Sequence, residues 1–335
     1  MKKKHIFIFT FCMLTLGACS LTRKDRAGCF PPELLPESVT PLTSFGQRAE
    51  WSLDGDYIFF VDSAGGDVWR VEVKSGKLKR ITLPGYRPAG HGYYRVMCLA
   101  NGDLLLNCGP ERHQTYMQIM DGSLEKGPFT LDEPINEGAA LTRKDMKIAW
   151  TKRQHKIWTG EIVYHEGIPG IENRTLIIDN DSVFVDGIRY QGIIEPQSFR
   201  PPDFTEMIWS QYGTDDFGRF TSEVFGYKLE TGELVNYSKA SNQYDEPEGI
   251  FPDGDYTLVE CDHHNPLGTS HIDIYKLKLD GTAKDYQRIT FFNEVEGFRS
   301  SNPVISDDGR WMAFQASRSG TAAGAGCGIY LMELP

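Results

Sequence analysis

Three histidines and an aspartate stand together in "DHHNPLGTSH", Asp262 to His271. Imidazole nitrogens and a carboxylate are donors that hold divalent metals, which makes His263, His264 and His271 the candidate metal ligands. Residues 263 and 264 point to opposite sides of an extended chain, so only one of the two faces a common site. A second group is "HGYYR", His91 to Arg95. An imidazole, a phenol and a guanidinium side by side suit proton abstraction with stabilisation of an enolate-like carboxylate. His91, Tyr94 and Arg95 are therefore the candidate catalytic residues, and β-elimination from a uronic acid is the matching chemistry. Solvated loop histidines are the plain alternative for both groups. The choice depends on the elements that position them.

The ends of the chain supply an address. Residues 1–19 carry Lys2, Lys3 and Lys4, then the apolar run "IFIFTFCMLTL", too short for a permanent span. They end in "LGAC", which resembles the bacterial lipobox and makes Cys19 the candidate lipidation site. A plain signal peptide with a chance cysteine is the alternative. Acyl chains contribute roughly 0.8 kcal/mol per buried methylene, so a multiply acylated Cys19 would anchor the protein firmly. Ser20 follows where an aspartate would favour the inner membrane, so the expected location is the cell envelope, at the outer membrane. Residues 20–37 are mixed in charge with three prolines, and they read as a flexible tether.

The formal net charge of −11 argues against nucleic acid as a partner. Five of the seven cysteines lie outside the signal-like segment that ends at Cys19, without CxxC spacing, so neither a zinc site nor a disulfide framework is indicated. Cys98 and Cys108 could bridge in an oxidising compartment, though nothing in the spacing requires it.

From residue 38 onward the chain repeats itself. "AEWSLDGDYIFFVDSAGGDVWRVEVKSGKLKRIT" (49–82) holds four strand-like runs separated by Asp-Gly and Ser-Gly turns. The unit returns at 248–290 and 302–334, with looser copies at "CLANGDLLLNC", "ALTRKDMKIAW" and "FRPPDFTEMIWSQ". Turn residues Asp54, Asn101, Lys144, Asp203, Asp253 and Asp308 recur roughly every 45 to 60 residues, the length of a four-stranded propeller blade. An extra hairpin is expected in "SVFVDGIRYQGII", residues 182–194. The last copy lacks a fourth strand, while "VTPLTS" (39–44) matches a fourth strand in sequence. The expected fold is all-β: a six-bladed β-propeller over 38–335, with the N-terminal strand completing the last blade and closing the ring.

The pattern of Asp-Gly turn, aromatic strand, "IYKLKLDG" and "RIT" resembles the TolB-type (WD40-like) propeller repeat. The resemblance implies a propeller without the α/β domain that precedes it in TolB, for which this chain has no room. No GxSxG elbow is present, which excludes the α/β-hydrolase peptidases built on such repeats. Oligogalacturonate lyase is similar in repeat type. Its histidines before the last blade find no match in "EGFRSSNPV", so its metal ligands are not carried over.

In such a fold the longer loops gather on one face, with His91, His113, His155, His263, His264 and His271 among them. The start of each innermost strand lines the channel. Aligning on the turns puts Arg48, Arg95, Gly138, Gln197, Pro247 and Asn302 at one level, with Glu137 and Glu246 one residue earlier and Glu248 and Arg299 as further rim groups. Arginines, carboxylates and amides around an opening suit a polar ligand. Arg48, Arg95, Glu137, Gln197, Glu246, Glu248, Arg299 and Asn302 are thus the candidate ligand-binding residues. Two functions follow: a lipid-anchored binding or scaffold module for a glycan, peptide or envelope protein, or a metal-assisted polysaccharide lyase or related glycan-cleaving enzyme. A divalent metal is the one cofactor that the residues suggest.

Overall fold

The computed structural model describes residues 25–185, 188–190 and 192–334. The expected signal, Cys19 and the first residues of the tether lie outside them. The described chain is strand and turn, with three short 3-10 turns and no α-helix among the described residues.

Among the described residues four sheets have four strands each, and in three of them the strands are ordered as the sequence runs. Gln47–Trp51, Tyr57–Val61, Val68–Glu72 and Leu78–Arg80 form one. The sheets that begin at Ile194–Phe199 and Asp245–Ile250 repeat it. In the sheet that begins at Phe298–Ile305, the outer position is taken by Val39–Pro41, which pairs antiparallel with Ile329–Glu333 through Val39 and Met332. A seven-stranded sheet spans 92–179. It joins two repeats through one long strand, Phe129–Leu141. The first half of that strand pairs with Gln114–Met120 and the second half with Lys147–Lys152. The extra hairpin is present as Phe184–Val185 against Ile188–Arg189. The first strands of successive repeats pack side by side, and Phe298–Ile305 packs in turn on Gln47–Trp51.

Each turn between first and second strands is made the same way. A side-chain oxygen accepts the backbone N–H two residues on: Asp54 from Asp56, Asn101 from Asp103, Asp145 from Lys147, Asp203 from Thr205, Asp253 from Asp255 and Asp308 from Arg310, all at 3.0–3.2 Å. Short polar side chains stabilise tight turns through this bond, which explains the recurring aspartate. In the third repeat the residue that does this is Asp145, one beyond the expected Lys144, because lysine has no acceptor. The outer strands are pinned by hydroxyls. Thr82 accepts from Val68 N–H and Thr290 from Ile274 N–H, and Thr43 accepts from Ile329 N–H. The N-terminal "LTS" thus does in the last sheet what "RIT" does in the first.

The stretch expected as a tether is partly packed. Ala27, Phe30 and Leu35 are buried, and Phe30 and Leu35 belong to the core between the last two sheets, where Phe30 meets Phe292 with ring centroids 4.3 Å apart. Cys29 is disulfide-bonded to Cys327, 298 residues away, whereas Cys98, Cys108 and Cys261 are free and buried. Apolar residues at 27, 30 and 35 find a groove that no local pattern announces. A disulfide spanning so long a loop is worth ~2–5 kcal/mol, and truncating a buried phenylalanine costs about 3–5 kcal/mol. Cys29→Ser and Phe30→Ala should each lower the denaturation midpoint by amounts in that range, with reductant reproducing the first effect. Equilibrium denaturation checks both, and unchanged midpoints would contradict the packing described.

Candidate functional site

Among the described residues, the first strands of the repeats all contribute to the lining of one central cavity, and each is interrupted by a bulge at the same level. The ladder to the second strand slips between Gln47 and Glu50, Tyr93 and Arg95, Asn136 and Ala139, Pro196 and Ser198, Pro247 and Ile250, and Ser301 and Val304. Arg48, Glu137 and Asn302 have φ of 57°, 56° and 48° at these bulges. That left-handed conformation costs a non-glycine residue roughly 1–2 kcal/mol, and bulges re-aim side chains beside functional sites. Here they turn long polar side chains inward. In the third repeat the bulged residue is Glu137 rather than the expected Gly138.

Two cavities meet at this level. The upper, about 230 Å³, is lined by Arg112, His113, Glu137, Glu195, Tyr212, Phe220, Tyr244, Glu246, Glu260 and Arg299 among others. The lower, about 490 Å³, is lined by Met97, Leu141, Arg143, Phe199, Phe204, Glu248, Ile250 and Ile305 among others. Arg48, Arg95 and Asn302 line both and form the waist. Gly324 closes over Arg48 so tightly that a Cβ there would lie 2.2 Å from Nη2.

Charge at the waist is unevenly matched. Glu137 is held from above and below: Arg48 Nη2 lies 3.3 Å from Oε2, Arg112 Nη2 donates to the same oxygen at 2.9 Å, and His113 Nδ1 is 3.3 Å from Oε1. Burial resists its ionisation, but Arg48 and Arg112 outweigh that and keep its pKa below the usual range. Arg95 reaches Glu248 at 3.5 Å, and Asn302 Nδ2 donates to the other oxygen of Glu248 at 2.9 Å. Glu246 accepts from the hydroxyls of Tyr212 and Tyr244 and from Gln197 Nε2, the last at 3.3 Å. Glu260 accepts the backbone N–H of Asn302 at 2.7 Å.

Among the described residues no lysine, arginine or histidine nitrogen lies within 4.0 Å of Glu195, Glu246 or Glu260. Burial pushes all four less-matched glutamates up, helped by one another's charge: Glu246 to about 7, and Glu195, Glu248 and Glu260 to about 8.

The structure scatters the two groups that the sequence made conspicuous. His91 Nδ1 is 3.2 Å from Tyr116 Oη, Tyr93 donates to Gln118 at 3.1 Å, and Tyr94 donates to Pro110 O at 3.3 Å. Of the expected catalytic trio only Arg95 lines the cavities, because alternate residues of a strand face opposite ways and a bulge intervenes. His263, His264 and His271 do not converge either. His263 Nε2 is 3.1 Å from Asp245, while His264 bonds Tyr275 and Asn293 at 3.0 and 3.1 Å. Among the described residues, the triads of donor groups within 4.8 Å of one another are Asp245–Cys261–His263 and Glu246–Glu248–Glu260; His264 and His271 belong to neither. Arg299 is buried, and its guanidinium donates to Ser317 and to carbonyls of Thr269, Thr321 and Ala322. It positions the loops over the upper cavity.

Arg48, Arg95, Glu137, Gln197, Glu246, Glu248 and Asn302 do come together in the channel. Arg112, Glu195, Glu260, Tyr212, Tyr244 and Phe220 complete it, and none of these six is conspicuous in the sequence. A carboxylate inside an apolar strand run, as in "TLVEC" and "GIIEPQ", is the signal that marks two of them.

Solved structures resemble this chain at low identity. A gluconolactonase from Xanthomonas campestris gives a TM-score of 0.55 with 11% identity, over 89% of this chain and 89% of that one. The calcium-binding protein regucalcin from Agrobacterium tumefaciens gives 0.52 with 10% identity, over 86% and 90%. The WD40 repeats of RRP9 give 0.52 with 9% identity, over 89% and 98%. The fold is a β-propeller. At these identities the likeness concerns the fold alone. No protein-family model matches the chain, and no curated protein sequence matches it.

The raised carboxyls fix the sign of a pH dependence. A glutamate whose folded pKa exceeds its unfolded value of about 4.5 stabilises the fold fully below that value and loses the contribution as pH rises through its folded pKa. Glu137 has the opposite sign and loses its contribution in acid. The propeller, kept in chelator, should therefore lose stability as pH rises from 5 to 8.5, and Glu195→Gln should flatten the decline. Urea denaturation across that range measures it; a flat or rising profile would contradict the channel electrostatics.

Proposed function

We propose that this protein is a lipid-anchored envelope β-propeller that binds a polar ligand, a glycan foremost, at the upper end of its channel. The ring is read as six-bladed, of the TolB-like repeat type, and closed by Val39–Pro41. The pairing of that strand with Ile329–Glu333 and the thread of contacts between successive first strands support this. The extracytoplasmic address rests on "LGAC" and is favoured by the Cys29–Cys327 disulfide, since disulfides persist in oxidising compartments.

The observation that carries the binding reading is the makeup of the upper cavity. Phe220, half-exposed, stacks on Tyr212 with centroids 5.2 Å apart and planes 13° apart. Beside this aromatic platform stand Arg112, His113 and Gln154 from neighbouring loops. A flat apolar face flanked by charged and amide groups suits a sugar ring, with Arg112 suited to a carboxylate substituent. Peptide or envelope-protein ligands would meet the same surface.

A second reading, a metal-assisted glycan-cleaving enzyme, is favoured by Glu246. Its pKa of about 7, set by burial and the neighbouring Glu248, lies where a general base works best, and two phenols adjoin it.

Calorimetric titration with oligouronates, neutral glycans and peptides should find a binder among the oligouronates, and Arg112→Ala or Phe220→Ala should weaken it about tenfold or more. Absence of any binder, or indifference to both substitutions, would refute the ligand reading; appearance of unsaturated sugar products would move the enzyme reading ahead. Cys19→Ser should release the protein from the membrane fraction, and its retention there would contradict the lipid anchor.

A further inference from the structure

The least matched charges in the channel sit in one place. Glu246 and Glu248 project from the first strand of the fifth repeat, and Glu260 from its partner strand. One carboxylate oxygen of each lies within 4.8 Å of one from each of the others. Three acidic groups this close and this deep repel one another, and only Glu248 has an arginine within ion-pair distance.

An independent observation lies beside them. Asn302, only 7% exposed, donates its side-chain N–H to Glu248 and its backbone N–H to Glu260, yet its Oδ1 is buried without a hydrogen-bond partner. A buried carbonyl oxygen left unpaired costs about 1–3 kcal/mol. It is carried on an amide whose nitrogen is 2.9 Å from a Glu248 oxygen, so the unpaired oxygen belongs to a side chain seated against the cluster. Asn302 is also held in the left-handed conformation by the bulge that turns it inward. A cation held by the carboxylates would offset their repulsion and offer this oxygen a partner at once.

We infer that Glu246, Glu248, Glu260 and Asn302 Oδ1 bind one divalent cation at the waist of the channel. All the donors are oxygens, which selects hard ions of the calcium, magnesium and manganese class over zinc or copper. A carboxylate-rich set with one amide oxygen leaves positions open toward the upper cavity. A cation there would neutralise the excess charge and offer an anionic ligand a second contact opposite Arg112. The inference rests on the channel being the functional site, but the cation needs no organic ligand. Titrations without a glycan therefore test it apart from glycan binding.

The test uses the full chain, purified in detergent without a histidine tag, stripped with chelator and titrated with calcium chloride or manganese chloride in a calorimeter. One site per chain is expected. Glu260→Gln and Asn302→Ala should each weaken it about tenfold or more, whereas His263→Ala should leave affinity within about twofold. Asn302→Asp keeps the oxygen, adds charge and tolerates the same backbone angle, so it should bind more tightly than the parent. Thermal unfolding in chelator establishes that each variant folds. No binding of either ion at millimolar concentration, binding that survives both Glu260→Gln and Asn302→Ala, loss with His263→Ala, or weaker binding by Asn302→Asp would each overturn the site.

Discussion

Everything at the centre of this protein follows from burying more carboxylates than the neighbouring arginines can match. Glu137 is fully answered by Arg48 and Arg112, and it stays ionised. Glu195, Glu246 and Glu260 are answered only by phenols and amides. Removing a charge from water costs several kcal/mol even after relaxation, and hydrogen bonds from neutral donors recover only part of it. Such a cluster persists only if the scaffold is rigid enough to hold it and if something gains from its presence. The proposed ligand and cation binding supply that gain.

The scaffold supplies the rigidity through repetition. Six side-chain-capped turns set the first two strands of every repeat, and threonine hydroxyls tie third strands to fourth. Bulges then break the first strand at one level, and the channel-facing residues depart from simple alternation there. The Cys29–Cys327 link and Phe30 fasten the chain's beginning to the sheet that its own strand completes. A scaffold fastened at that seam keeps the separately contributed side chains in fixed relation, as a preorganised polar site requires.

The repeat is legible in the sequence because the aspartate turns are local devices, each readable within a few residues. Lys144 is misplaced by one for the same reason: the device needs an acceptor, and Asp145 has it. The channel is half legible. Alignment on the turns brings Arg48, Arg95, Gln197 and Asn302 to one level, but strand alternation alone does not anticipate that a bulge presents Glu137 instead of Gly138. Glu195 and Glu260 stand as single charges inside apolar runs, a local signal too slight to compete with the clustered histidines. The histidines of 263–271 and the group at 91–95 are conspicuous through adjacency in sequence, and alternation along a strand disperses adjacent residues. The disulfide spans nearly the whole chain, so no spacing suggests it.

The most direct test of the central charge imbalance is a crystal structure of the protein soaked in manganese, with anomalous scattering recorded at the manganese edge. One strong peak is expected at the waist, within coordination distance of Glu246, Glu248, Glu260 and Asn302 Oδ1. A waist without a peak, or a peak only at Asp245, Cys261 and His263, would contradict it.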